Sequence, residues 1–208
     1  MPIIQRTNLN ENTILALWKI SESKEELLTM LTGNLKDNGT NKHSSIHWLA
    51  SRVLLQELYP TSAIELHKDE YNKPSLTINN QAFAVSITHS FEYAAIMICP
   101  SHPVALDIER IDERIMRVAH KFIRSDENFG ESNPTLYNII IWSAKETLYK
   151  YYGKKELDFK LHLRLHPFEY DTIPFVANGT IQKNGYILNL PVHVETFDGY
   201  VLTYSYGR

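Results

Sequence analysis

Apolar positions along residues 10–32, namely Ile14, Leu15, Leu17, Trp18, Leu27, Leu28 and Leu31, recur among charged ones and predict helical segments. Residues 33–41 are rich in turn formers and break the pattern. Over residues 42–59, Ile46, Leu49, Val53, Leu54 and Leu58 have helical spacing, and Pro60 closes the run. Residues 61–80 read as loop with short extended pieces. The period then becomes that of strands, over 82–88 and 93–98, joined by His89-Ser90-Phe91-Glu92, with a third strand over 104–109. Helical patterns return at 112–124 and 135–152. From 159 to 206 the chain reads as strands split by Asn178-Gly179, Asn184-Gly185 and Asp198-Gly199, all strong turn dipeptides. The fold class is α+β, with antiparallel sheet dominating the C-terminal quarter.

Composition narrows what such a fold can do. The 208 residues carry 21 Lys+Arg against 24 Asp+Glu, a net charge of −3, with 43% hydrophobic residues. These values exclude a disordered tail, a collagenous fibre and a disulfide scaffold. A near-neutral balance gives no bulk attraction to nucleic acid or to an anionic membrane, so an anionic ligand must be met by a local cluster. Cys99 is the single cysteine, which excludes an intrachain disulfide and leaves a cysteine-based zinc site unsupported. Met1-Pro2-Ile3-Ile4-Gln5-Arg6 turns polar too early for a signal peptide, and no apolar run is long enough to span a bilayer. A cytoplasmic setting is the expectation.

Three segments could carry chemistry. In Leu106-Asp107-Ile108-Glu109, strand alternation projects both carboxylates from one face. Paired carboxylates repel unless a cation or solvent relieves them, and Mg²⁺ is the usual cation; equally, many strands simply have one wet face. On a helix, Trp142, Glu146 and Lys150 stand at i, i+4 and i+8 and share a face. Glu146 could add an oxygen ligand or act as a base, and Lys150 could neutralise a phosphate, although Glu–Lys pairs at this spacing are also ordinary surface pairs. Ser86-Ile87-Thr88-His89-Ser90 offers hydroxyls, an imidazole and turn amides that could cradle phosphate.

Taken in order, Asn72-Lys73-Pro74, Val85-Ser86-Ile87-Thr88-His89-Ser90, Ala105-Leu106-Asp107-Ile108-Glu109 and Trp142-Ser143-Ala144-Lys145-Glu146-Thr147-Leu148-Tyr149-Lys150 resemble the 4′-phosphopantetheinyl transferase superfamily, in its larger two-half type. The motifs of that family read approximately Gly-Lys-Pro, Ser-x-Ser/Thr-His-Ser, Gly-Ile/Val-Asp-Ile/Val-Glu and Trp-Ser/Thr-x-Lys-Glu-x-x-x-Lys. Ser51-Arg52-Val53-Leu54-Leu55 extends the likeness upstream.

The resemblance implies a pseudo-dimer of two similar α/β halves, each a small antiparallel sheet packed with helices, with the active site between them. It divides the chain into 1–102, for the adenosine and 3′-phosphate end of coenzyme A, and 103–208, for the metal and the carrier protein. The implied reaction moves 4′-phosphopantetheine from coenzyme A to a serine of an apo carrier protein. Asp107, Glu109 and Glu146 would hold Mg²⁺; His89 would contact phosphate, with Ser86 and Ser90 close by; Lys150 would grip phosphate. Arg52 would meet the 3′-phosphate, and Lys73 and Pro74 would line the adenine side. Asp107, Glu146 and Lys150 would be the catalytic set, with Glu146, or a water it orients, as base. Another Mg²⁺-dependent phosphate-ester hydrolase, or an inactive homologue that binds coenzyme A or a carrier, are the competing readings.

Two positions depart from the family pattern: Asn72 and Ala105 stand where glycines are usual. Asn tolerates left-handed backbone better than most residues. The family's carriers are typically acidic, which makes a stripe of Arg114, Arg117, Lys121 and Arg124 on a helix over 112–124 a candidate docking face. A charged outer face is also what any solvated helix presents. His43 and His47 stand at a zinc-compatible i, i+4 spacing but lack a third ligand. A chain already holding two halves is expected to act as a monomer.

Overall fold

The computed structural model describes residues 3–35, 44–127 and 133–207. The chain forms two compact units that divide between Val104 and Ala105. Each is an antiparallel sheet packed with helix, in keeping with the α+β class.

In the first unit, strands β1 (Ile3–Asn8), β2 (Ile14–Lys19), β3 (Ile64–Lys68), β4 (Pro74–Ile78), β5 (Gln81–Ser90) and β6 (Tyr93–Cys99) form one sheet in the order β1-β2-β6-β5-β4-β3. Helix α1 (Lys24–Met30) starts at a capping box, with Ser23 Oγ accepting from Glu26 N and Glu26 accepting from Ser23 N. Helix α2 (Ile46–Leu58) is capped by Ser45, whose hydroxyl accepts from Trp48 N. Leu49, Val53 and Leu54 of α2 and Leu27 of α1 pack with Trp18, Val85, Ile96 and Ile98 of the sheet.

The helical reading of residues 10–32 is half corrected: 14–19 is strand, and only 24–30 is helix. β2 lies between β1 and β6 and is buried on both faces, so its apolar run is continuous and carries no strand alternation. Residues 61–80, read as loop with short extended pieces, contain the β3–β4 hairpin. His89 and Ser90 belong to β5 itself, with the turn at Phe91-Glu92.

The second unit holds β7 (Val104–Arg110), β8 (Leu163–Leu165), β9 (Phe175–Lys183), β10 (Tyr186–Phe197) and β11 (Tyr200–Tyr206), ordered β7-β11-β10-β9-β8, and helix α3 (Pro134–Tyr152). Asn133 caps α3 at its start, Pro134 supplies the first turn, and Gly153 ends it at φ 71°. Buried Ser143 and Thr147 bond to Thr203, seating α3 on β11.

Asn184-Gly185 and Asp198-Gly199 are hairpin turns, with φ of 48° and 83°, and of 46° and 78°. Asn178-Gly179 is a correction: it runs straight through β9. A Cβ on Gly179 would stand 2.8 Å from Leu148 Cδ2, so this glycine admits the helix instead of turning the chain.

The helix predicted over 112–124 is also corrected. The segment is a series of 3₁₀ turns, Glu113–Arg117, Ala119–Lys121 and Ser125–Glu127. Backbone i→i+3 bonds at Ile115, Val118 and Lys121 replace the α ladder, so the i, i+3, i+7, i+10 stripe does not form. Asp112 caps the first turn by accepting from Arg114 N, and its carboxylate takes the guanidinium groups of Arg110 and Arg114.

Candidate active site

The second unit carries the carboxylates. Asp107 and Glu109, two apart in β7, face α3, while Leu106 and Ile108 are buried on the opposite side of the strand. On α3, Lys150 Nζ donates to Asp107 Oδ1 at 2.7 Å and to the Leu106 carbonyl at 3.1 Å. Two turns earlier, Trp142 Nε1 donates to Glu109 Oε1 at 2.8 Å. The Trp142–Glu146–Lys150 face therefore runs antiparallel to β7, with Glu146 about 6 Å along the axis from each neighbour on that face.

Electrostatics follow from this geometry. Burial, and then the negative charge of Asp107, push the Glu109 carboxyl up to about 7, against the bond from Trp142. Burial and Asp107 likewise push Glu146 up to about 7, with Lys150 opposing. The site is short of positive charge when all three carboxylates are ionised.

This donor set suits a hard cation. Mg²⁺ takes a few carboxylate oxygens and completes its octahedron with water and phosphate. As the side chains stand, Lys150 engages Asp107, and among the described residues no three ligating side chains converge at metal-holding distance. The oxygen-only chemistry and the repulsion among the three carboxylates fit the ion; a closed protein cage is not there.

The cations gather in the first unit, in a cleft of about 290 Å³ whose lining includes His47, Trp48, Arg52, Asn72, Pro74 and His89. Arg52 lies over the Trp48 ring at 4.1 Å and donates to Ser51 Oγ at 2.9 Å. Burial pulls its guanidinium down to about 10, so it stays charged at neutral pH. His89 stacks on His47, with ring centroids 4.3 Å apart and planes 4° from parallel. Lys68 and His67 also line the cleft.

Of the predicted ligand residues, the cleft thus gathers Arg52, Pro74 and His89. Ser86 and Ser90 are buried on the opposite face of β5 from His89, because residues of one parity share a face. Lys73 is half-buried beside the lining, its ammonium lowered by burial against the opposing pull of Asp69. Asn72 has φ 65°, the left-handed backbone that its usual glycine would supply, and Asp69 closes the turn by accepting from Tyr71 N and Lys73 N. Ala105 is fully buried in the regular strand β7 and needs no positive φ.

Trp48 escaped the functional reading, and His47 entered it only as half of a zinc-spaced pair. The available signal was helical spacing: Trp48 precedes Arg52 by four residues and shares its face. His43, the other half of the zinc-spaced pair, lies outside the described residues. Lys145, within the tryptophan motif, is fully buried and donates to Glu127 Oε2 at 2.6 Å and to the carbonyls of Phe122 and Phe159. Of the basic residues expected to dock a partner, Arg114 pairs with Asp112 and Arg124 with Asp126, while Arg117 and Lys121 are exposed. No described helix is long and apolar enough to cross a membrane.

Comparison with known proteins gives two matches. A profile of the 4′-phosphopantetheinyl transferase superfamily matches residues 103–204. The chain is similar to the 4′-phosphopantetheinyl transferase gsp of Aneurinibacillus migulanus, 30% identical over 112 residues, which is 51% of this chain and 46% of that protein. The aligned part thus spans a little under half of that relative's length.

Proposed function

We propose that this chain, whose residues 103–204 match the 4′-phosphopantetheinyl transferase superfamily, transfers 4′-phosphopantetheine from coenzyme A to a serine of an apo carrier protein. The observation that carries the proposal is the alignment of Trp142, Glu146 and Lys150 on α3 along Asp107 and Glu109 of β7.

In this reading the carrier serine Oγ attacks the β-phosphorus of coenzyme A. The new Oγ–P bond forms as the bond from that phosphorus to the oxygen bridging the two phosphates breaks, and 3′,5′-adenosine bisphosphate leaves. Glu146, or a water it orients, takes the serine proton. Lys150, held by Asp107, presents its ammonium to a phosphate oxygen. Asp107, Glu109 and Glu146 would hold Mg²⁺, whose charge when bound offsets that developing on the phosphate oxygens. In the first unit, Arg52 receives the 3′-phosphate, His89 contacts phosphate, and Lys73 and Pro74 line the adenine side. Exposed Arg117 and Lys121 meet an acidic carrier. A cytoplasmic setting and a monomer complete the proposal.

The test is release of 3′,5′-adenosine bisphosphate from coenzyme A and Mg²⁺ in the presence and absence of apo carrier proteins. Release that requires a carrier is the expected result. Carrier-independent phosphate release would establish a hydrolase instead, and coenzyme A binding with no turnover on any carrier would establish an inactive homologue.

A further inference from the structure

Two groups of the first-unit cleft proposed to meet phosphate stand on different elements, Arg52 on α2 and His89 near the end of β5. A cleft that grips a polyanion with groups on separate elements needs their separation fixed before the ligand arrives. His47 supplies such a link. It sits in the first turn of α2, and its Nε2 hydrogen-bonds with the carbonyl oxygen of Phe91, two residues beyond His89 in the turn from β5 to β6. Phe91 has φ 49°, so its carbonyl is carried by a tightly bent backbone instead of continuing the β ladder. The same imidazole lies flat against His89 at 4.3 Å and 4°.

We propose that His47 is a positioning residue: its bond to the Phe91 carbonyl ties the start of α2 to the β5–β6 turn, and its ring face sets the orientation of the His89 imidazole in the cleft beside Arg52. The two functions lie on different atoms of one side chain. The Nε2 bond fixes where the end of β5 stands relative to α2; the ring face limits the χ2 freedom of His89, which is otherwise broad for an imidazole. Order imposed in advance removes an entropic cost that binding would otherwise carry. His47 touches no reacting atom in this account. Its effect falls on ligand affinity, which phosphate-gripping groups contribute equally to bound substrate and transition state.

This inference rests on the coenzyme A reading of the cleft, and the experiment separates the two. Four proteins are compared, the wild type and His47→Phe, His47→Gln and His47→Ala, by calorimetric titration with 3′,5′-adenosine bisphosphate, by KM and kcat for coenzyme A, and by the His89 ring resonances in NMR spectra. His47→Phe keeps a stacking face without the carbonyl bond, and His47→Gln keeps a polar group without the aromatic face. The expected result is a loss of affinity and a rise in KM of about tenfold for His47→Ala, with kcat changed less than about twofold. His47→Phe and His47→Gln should each recover part of that loss, and His89 resonances should shift in all three variants at unchanged thermal stability. Wild-type affinity in His47→Ala, or a fall in kcat at constant KM, overturns the positioning role while leaving the coenzyme A reading intact. A wild-type protein that binds neither coenzyme A nor the bisphosphate overturns both.

Discussion

Asp107 and Glu109 stand on the face of β7 that meets α3, whose Trp142–Lys150 face also carries Glu146. Asp107 is 4% exposed and leans on Lys150, and burial followed by the negative charge of Asp107 raises the carboxyls of Glu109 and Glu146 to about 7. Such an arrangement costs stability when no cation is present. Glu146→Gln should therefore melt about 2–4 °C above the wild type in chelator at pH 8. Millimolar Mg²⁺ should raise the wild-type Tm and leave that of the variant unchanged, since only a state that binds the ion gains from it. Calorimetric melts with and without Mg²⁺ check both statements. A variant no more stable than the wild type in chelator would remove the repulsion argument.

At the scale of elements, the buried pair of Lys145 and Glu127 anchors the described residues 111–127 that follow β7. Glu127 Oε2 accepts from Lys145 and from Arg124 N, its Oε1 accepts from Leu165 N, and its carbonyl accepts from the Tyr137 hydroxyl. This clasp binds the 3₁₀ turns to α3 and β8. Lys145→Ala would leave a buried carboxylate without its counter-ion, at a cost of about 3–5 kcal/mol. Urea unfolding should register that loss in the midpoint with an unchanged slope.

A second element-level prediction concerns β10 and β11, where His193 stacks on Tyr204 and Tyr206 with centroids at 4.8 and 5.3 Å. Burial lowers the His193 pKa, and Glu195 opposes the shift. The unfolded chain titrates near 6.5 and the folded one lower, so the unfolded state binds the extra proton first. The His193 contribution to stability should therefore fall as pH drops below about 6.5, opposite in sign to that of Glu109 and Glu146, and the difference between wild-type and His193→Gln melts between pH 5 and 8 should isolate it.

Much of this architecture was legible in the sequence because it rests on period and turn chemistry. α3, the β5–β6 pair and the two hairpins at Asn184-Gly185 and Asp198-Gly199 follow from local rules. What escaped depends on neighbours distant in the chain. β2 looks helical because both of its faces are buried by partners the sequence does not show. Asn178-Gly179 looks like a turn because the reason for its glycine is Leu148, thirty-one positions upstream. The carboxylate stripe was readable from alternation and i, i+4 spacing. The His47–His89 stack was not, since it joins a helix to a strand end.

At the scale of the molecule, a net charge of −3 hides a segregation of charged groups. The first unit holds a cleft lined by Arg52, Lys68 and His89, and the second holds Asp107, Glu109 and Glu146. The family match covers the second unit, at residues 103–204. The cleft therefore adds support of its own to the proposal, because a phosphate-rich co-substrate needs more cationic groups than Lys150 alone supplies at the carboxylate site.

The most direct measurement is the intact mass of an apo carrier protein after incubation with this protein, coenzyme A and Mg²⁺, run beside Asp107→Ala and a carrier whose acceptor serine is replaced by alanine. The account predicts a gain of one phosphopantetheine on the carrier with the wild type alone, and none with either substitution. An unmodified carrier across fatty-acid, polyketide and peptide-synthetase types, or full modification by Asp107→Ala, would contradict it.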